Sequence, residues 1–120
     1  MPKRKELTTL DLAKKAVEAA SEKQAADITL LDLHGQAAFT DYFVICTADN
    51  PRQLTAIANE VDEELTKAGL KAHHKEGRPE SGWVLVDFGD IVVHIFSAKQ
   101  RGFYDLESVW QQAPVLVRMQ

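Results

Sequence analysis

The stretch Gly82-Trp83-Val84-Leu85-Val86-Asp87-Phe88-Gly89-Asp90-Ile91-Val92-Val93-His94-Ile95-Phe96 decides the fold. Two β-branched and aromatic runs, Trp83 to Phe88 and Ile91 to Phe96, flank Gly89-Asp90. Such runs suit a pleated, buried surface. Glycine first in a two-residue loop is the signature of a type II′ turn, whose twist matches hairpin strands. That turn pairs Phe88 with Ile91, Val86 with Val93 and Val84 with Ile95. Side chains alternate along a strand, so these six apolar residues share one face. The other face carries Trp83, Leu85 and Asp87 opposite Val92, His94 and Phe96. One face is plain core; the second mixes aromatics, an acid and a histidine.

Outward from the hairpin, the chain reads as one α/β domain over residues 1–120, with its core in 8–110 and a tail in 111–120. Thr8 or Thr9 caps a first helix. Its stripe is Leu10, Ala13, Val17 and Ala20, widened by Ala16. Ile28 to Leu33 and Tyr42 to Thr47 read as antiparallel strands, the second apolar on both sides and therefore central. Asp49 or Asn50 caps a second helix with Pro51 in its first turn, and Gly69 ends it. Leu70 to Glu76 is expected as a polar edge strand, parallel to the preceding strand through a right-handed crossover. Ser97 caps a short helix, Ala98 to Gly102, and Asp105 to Trp110 continues it. The expected architecture is a mixed sheet of about five strands with two main helices and a short C-terminal helix. Residues 1–7 read as a frayed basic lead, and the tail has no assigned element.

The totals narrow the function. A net charge of −4 argues against a general nucleic-acid grip, which needs a positive footprint. The single cysteine, Cys46, gives neither an intramolecular disulfide nor a zinc set, and it favours a reducing, cytoplasmic setting. No apolar run reaches membrane-spanning length. Asp11, Lys14 and Lys15 interrupt any signal-peptide core.

Each candidate for chemistry has a plainer structural reading beside it. Asp87 and Asp90 could pair on a divalent metal, as in magnesium-dependent nucleotide chemistry; as a strand-end and a turn aspartate they need no such role. No glycine-rich phosphate loop opens a helix. His94 lies one diagonal step from Asp87 and could be a carboxylate-oriented base, or a histidine hydrogen-bonded at a layer boundary. His73 and His74 point to opposite faces of a strand, and Cys46 reads as a buried thiol. Trp83 is either core or the anchor of an interface. Tyr42, Tyr104 and Trp110 either extend that surface or close the core.

Several segments together carry a family likeness: Asp41-Tyr42-Phe43-Val44-Ile45-Cys46-Thr47; Arg52-Gln53 opening an acidic amphipathic helix; the hairpin Gly82 to Phe96; and Phe103-Tyr104-Asp105-Leu106-Glu107 before Trp110. In this order they resemble the Iojap family, whose bacterial members are ribosomal silencing factors, over about residues 8–110. The resemblance implies a fold similar to nucleotidyltransferases without their catalytic acids, and a binding function with no cofactor. It implies binding to the large ribosomal subunit through its protein fourteen, at the surface that meets the small subunit. Subunit joining is then blocked and translation repressed. Trp83 carries over as anchor, Asp87 and Asp90 as charge partners, and Asp41, Tyr42 and His94 as secondary contacts. Gly102 departs from the family pattern and weakens the short helix. Two alternatives stand beside this: a nucleotidyltransferase-like nucleotide binder or enzyme, and a homodimer that uses the Trp83 face off the ribosome.

Overall fold

The computed structural model describes residues 7–120, so the expected basic lead lies outside the described residues except for Leu7. Helix α1 (Thr9–Glu22) starts in a capping box: Thr8 accepts from the Asp11 N–H, and the Asp11 carboxylate accepts from the Thr8 N–H. Strands β1 (Ala26–Asp32) and β2 (Tyr42–Ala48) pair antiparallel. Helix α2 (Pro51–Lys67) is capped by Asn50, with Pro51 in its first turn. Gly69, at φ 97°, takes the left-handed position just past the α2 end.

Strand β3 (His74–Glu76) is an exposed three-residue edge paired antiparallel with β4 (Trp83–Asp87). This corrects the expected crossover. The strand parallel to β2 is β5 (Ile91–Ser97), not β3. The β4–β5 hairpin folds back so that β5 fills the slot beside β2, pushing β3 to the rim. The hairpin register is the expected one, Val84 opposite Ile95 and Val86 opposite Val93, with the Phe88 N–H donating to the Ile91 carbonyl at 2.8 Å. Gly89 has φ 90° and Asp90 is not in the left-handed region, as a type II′ turn requires.

Ser97 caps α3 (Ala98–Tyr104), which includes Gly102 without a break. Asp105 turns left-handed, and α4 (Leu106–Val109) follows. The tail forms β6 (Val115–Met119), antiparallel to β1. The sheet therefore has six strands, in the order β3-β4-β5-β2-β1-β6, one more than expected.

The two sheet faces have different cores. α1 and α2 cover one face, over Val84, Val86, Phe88, Ile91, Val93 and Ile95 from the hairpin. The other face is thinly covered. Leu31, Leu33, Phe43, Ile45, Val92, Phe96 and Ala113 are buried there, with Trp83, Leu85, Leu106 and Trp110 half-buried around them. A face closed only by two short helices leaves apolar rim in water, and the candidate surface lies on that rim.

Candidate binding surface

Trp83 is half-buried on the thin face. Opposite Phe96 in the hairpin register, its indole stacks on that ring at 5.1 Å between centroids, 27° from parallel. It also meets Tyr104 of α3 at 4.4 Å. His94 stands opposite Leu85, a diagonal step from Trp83, and the Trp83 indole N–H donates to His94 Nδ1 at 3.2 Å. His94 is buried, 5% exposed, with its ring 4.4 Å from Phe43. Burial pushes its pKa down to about 4, so the ring is neutral near pH 7.

The Asp87–His94 pairing considered from the sequence does not form. His94 Nδ1 is taken by Trp83, while Asp87 Oδ1 accepts from the Gly89 N–H at 2.7 Å and closes the turn. Asp87 Oδ2 lies 3.7 Å from His74 Nδ1 on β3. A base oriented by this carboxylate is therefore excluded by the geometry. Cys46 is buried, and desolvation pushes its thiol up to about 12.

The other expected residues go elsewhere. Asp41 and Tyr42 both donate backbone N–H groups to the Asp90 carbonyl, at 3.0 and 3.1 Å, tying the start of β2 to the hairpin turn. The Asp41 carboxylate lies 3.4 Å from His34 Nε2, and His34 Nδ1 is 2.6 Å from Asp32. The hydrogen bond that the His34 ring donates to the Asp32 carboxylate raises the His34 pKa. Tyr42 is 7% exposed and belongs to the helix-side core, across the sheet from Trp83. The resemblance implies Tyr42 and His94 as secondary contacts; both are enclosed and present almost no surface, and His94 supports Trp83. Of the six, Trp83 and Asp87 share the thin face with some exposure, and Asp41 with Asp90 sits at the strand ends.

The residues that make this face a surface are mostly others. Phe39, Phe103 and Val109 are 63%, 76% and 66% exposed, and Tyr104 is 44% exposed. Successive ring contacts run Phe39–Phe43–His94–Trp83–Tyr104–Phe103. Phe39 also meets Trp110. Exposed aromatics at this density make the face a candidate interaction surface. Phe39 lies in a loop and Phe103 in a seven-residue helix, so no apolar period signalled either of them.

Arg101 holds the outer part of that surface in place. From α3 its guanidinium donates to Glu107 Oε2 at 2.9 Å, Thr47 Oγ1 at 2.9 Å, Thr29 Oγ1 at 3.3 Å and the Asp27 carbonyl. One planar fork thus clips α3 and α4 onto β1 and β2.

Comparison with known proteins bears on what such a surface serves. The family model described as "Ribosomal silencing factor during starvation" matches residues 6–120, the β6 tail included. The chain belongs to the RsfS family. It is 40% identical to the ribosomal silencing factor RsfS of Bacillus subtilis, over 87% of this chain and 88% of that protein. It is 38% identical to the chloroplastic protein Iojap of Zea mays, over 87% of this chain and 45% of that longer protein. A crystal structure of a Chromobacterium violaceum protein, 36% identical, superposes with a TM-score of 0.83 over 87% of each chain. One from Bacillus halodurans, 33% identical, gives 0.78 over 91% of this chain and 99% of that one. The six-stranded mixed sheet is thus an RsfS-family fold.

Proposed function

We propose that this chain is a ribosomal silencing factor that docks on the large ribosomal subunit through its protein fourteen. Seated there, in the cytoplasm, it blocks joining of the small subunit by steric exclusion and represses translation. The observation that carries the reading is the run of exposed and half-exposed rings on the thin face, with Trp83 at its centre. A monomer gains nothing from leaving Phe39 and Phe103 in water, whereas a docked partner removes them from it. The relatives are named for ribosomal silencing, which points the surface at a ribosomal partner. Ribosomal proteins are usually basic, and this chain carries a net charge of −4, so the fields are complementary. A binding role is supported by the pair first considered for chemistry: Asp87 closes a turn and His94 supports an indole.

Sedimentation of the protein with separated subunits tests this. Co-sedimentation with large subunits, with reduced formation of joined ribosomes, is expected. A protein that stays at the top of the gradient and leaves joining unchanged would overturn the proposal. Saturable, Asp87-dependent binding of a nucleotide with magnesium would favour a nucleotide binder instead, and concentration-dependent dimers without ribosome binding would assign the ring surface to a second copy.

A further inference from the structure

Beside the Trp83–Tyr104 ring pair, an open cleft of about 230 Å³ is lined by Glu76, Gly77, Ser81, Trp83, Leu85 and Tyr104. We infer that this cleft receives an arginine side chain of the protein partner, the guanidinium lying against Trp83 and Tyr104 and pairing with Glu76. The inference rests on the reading of the chain as a binding protein for a basic ribosomal partner, and it names the chemistry of the contact.

The walls set the class of occupant. Two aromatic rings 4.4 Å apart between centroids, tilted 47° to one another, line the cleft, and Leu85 adds an apolar side. Aromatic faces attract cations, guanidinium most readily, because it is planar and weakly hydrated. Among the described residues, the one charged side chain in the lining is the Glu76 carboxylate, whose residue is exposed. A phosphate or carboxylate ligand would meet that acid with no cation in the lining to offset it. Small-molecule pockets run from roughly 300 Å³ upward and enclose their ligands. At about 230 Å³, open to solvent, this one suits a side chain entering from a docked surface.

The register adds a second acid to the same face. β3 aligns His74 opposite Asp87 and Glu76 opposite Leu85, so His74, Glu76, Leu85 and Asp87 lie on the thin face. His74 sits between the two acids, Nε2 3.4 Å from Glu76 and Nδ1 3.7 Å from Asp87. Lys75, between His74 and Glu76 in sequence, is drawn to the opposite face, 2.7 Å from Asp62 of α2. A cation approaching the cleft therefore meets the Glu76 carboxylate, with Asp87 beyond His74 on the same face and the β3 lysine turned away.

The backbone of the cleft is shaped closely. Gly77 has φ 94°, and a Cβ there would stand 2.1 Å from the Trp83 carbonyl oxygen, so the chain passes against β4 only as glycine. Ser81 Oγ donates to the Arg78 carbonyl at 2.7 Å, which leaves its lone pairs to accept from an incoming N–H.

Two measurements on the full chain test the inference. In the first, the protein is titrated with N-acetyl-arginine amide and, separately, with its neutral planar analogue N-acetyl-citrulline amide, while the Trp83 indole N–H and Gly77 amide resonances are followed. The arginine derivative is expected to shift both saturably. The citrulline derivative should not, and Glu76→Gln should abolish the difference. In the second, large-subunit binding is compared for the wild-type chain, Glu76→Gln, Glu76→Lys and the control Glu18→Gln on α1, across the sheet. Losses of about tenfold for Glu76→Gln, more for Glu76→Lys and none for Glu18→Gln are expected. If wild type binds large subunits, Glu76→Gln binds equally well and arginine acts no differently from citrulline, the cleft inference falls while the proposed function stands. If wild type does not bind large subunits, the proposed function falls, and the arginine–citrulline contrast still decides the cleft.

Discussion

Trp83 and His94 are joined by a hydrogen bond in which the indole N–H donates to the imidazole Nδ1. That bond requires a neutral imidazole carrying its proton on Nε2, because the protonated ring has no acceptor. Nε2 is buried and has no hydrogen-bond partner among the described residues. Charging His94 would thus break the Trp83 bond and place a cation beside Phe43 and Phe96. Burial holds its pKa near 4, below the ordinary 6.5. The unfolded chain then takes up a proton on this ring before the folded chain does. The His94 contribution to stability is intact above about pH 6.5, falls as pH drops toward 4, and is level below that. The total is on the order of 3 kcal/mol. Urea unfolding at intervals from pH 7.5 to 4, with His94→Asn as reference, measures it. Wild type should lose more stability than the variant across this window; parallel profiles would show that His94 does not titrate this way.

If the ring surface docks as proposed, Tyr104 should separate binding from folding better than Trp83 does. Trp83→Ala removes contacts with Phe96 and Tyr104 and leaves His94 Nδ1 without its donor, so about 2–4 kcal/mol of stability should go with it. Tyr104 is 44% exposed and meets its neighbours through ring contacts at the surface. Tyr104→Ala should cost under about 1 kcal/mol of stability yet weaken large-subunit binding about tenfold. Denaturation midpoints beside binding isotherms distinguish the two, and unchanged binding in a folded Tyr104→Ala protein would remove this ring from the interface.

Arg101 predicts a coupling between the sheet and the outer surface. Its side chain is 13% exposed and bridges Glu107 to Thr29, Thr47 and the Asp27 carbonyl. Arg101→Ala strands these groups and should cost about 2–4 kcal/mol. Arg101→Lys should recover little, since an ammonium cannot span the same partners. Hydrogen exchange should quicken across α3 and α4 while protection in β2 and β5 is kept. Uniform loss of protection would mean that Arg101 supports the whole fold rather than these two helices.

These dependencies also mark what was legible in the sequence. The hairpin was readable to its register because one face is continuous core, so a one-residue slip would expose six apolar side chains. Both long helices were readable because their caps and stripes are local. The tail was not. Val115, Leu116 and Met119 are exposed, so no burial pattern marks β6, and only pairing with β1 makes it a strand. The sequence offers β3, the nearest following strand, as the crossover partner of β2, whereas β5 occupies that slot. Arg101 contacts Thr29 and Thr47, which lie 72 and 54 residues away, and no local pattern encodes such a reach. On the candidate surface, Trp83 was visible as an aromatic on a mixed face. Tyr42 stays open in the sequence, between surface and core, because β2 is buried on both sides and alternation there does not say which face meets solvent.

Two glycines should respond to alanine with opposite signs. Gly102 lies inside α3, exposed, with no positive φ and open space where an alanine methyl would stand, nothing lying within 4 Å of it. Its cost is conformational freedom alone, so Gly102→Ala should stabilise the chain by up to about 1 kcal/mol and firm the helix that carries Phe103 and Tyr104. Gly77 has φ 94° and passes so close to β4 that a methyl would meet the Trp83 carbonyl oxygen at 2.1 Å. Gly77→Ala must shift the loop away from Trp83 and should destabilise by more than about 1 kcal/mol. Because that carbonyl belongs to the residue at the centre of the ring surface, the damage should reach binding as well as stability. Thermal melts of the two single variants, with the Trp83 indole resonance compared to wild type, check both signs. A Gly77→Ala protein with wild-type melting and an unmoved indole signal would show that the close approach at Trp83 is not required.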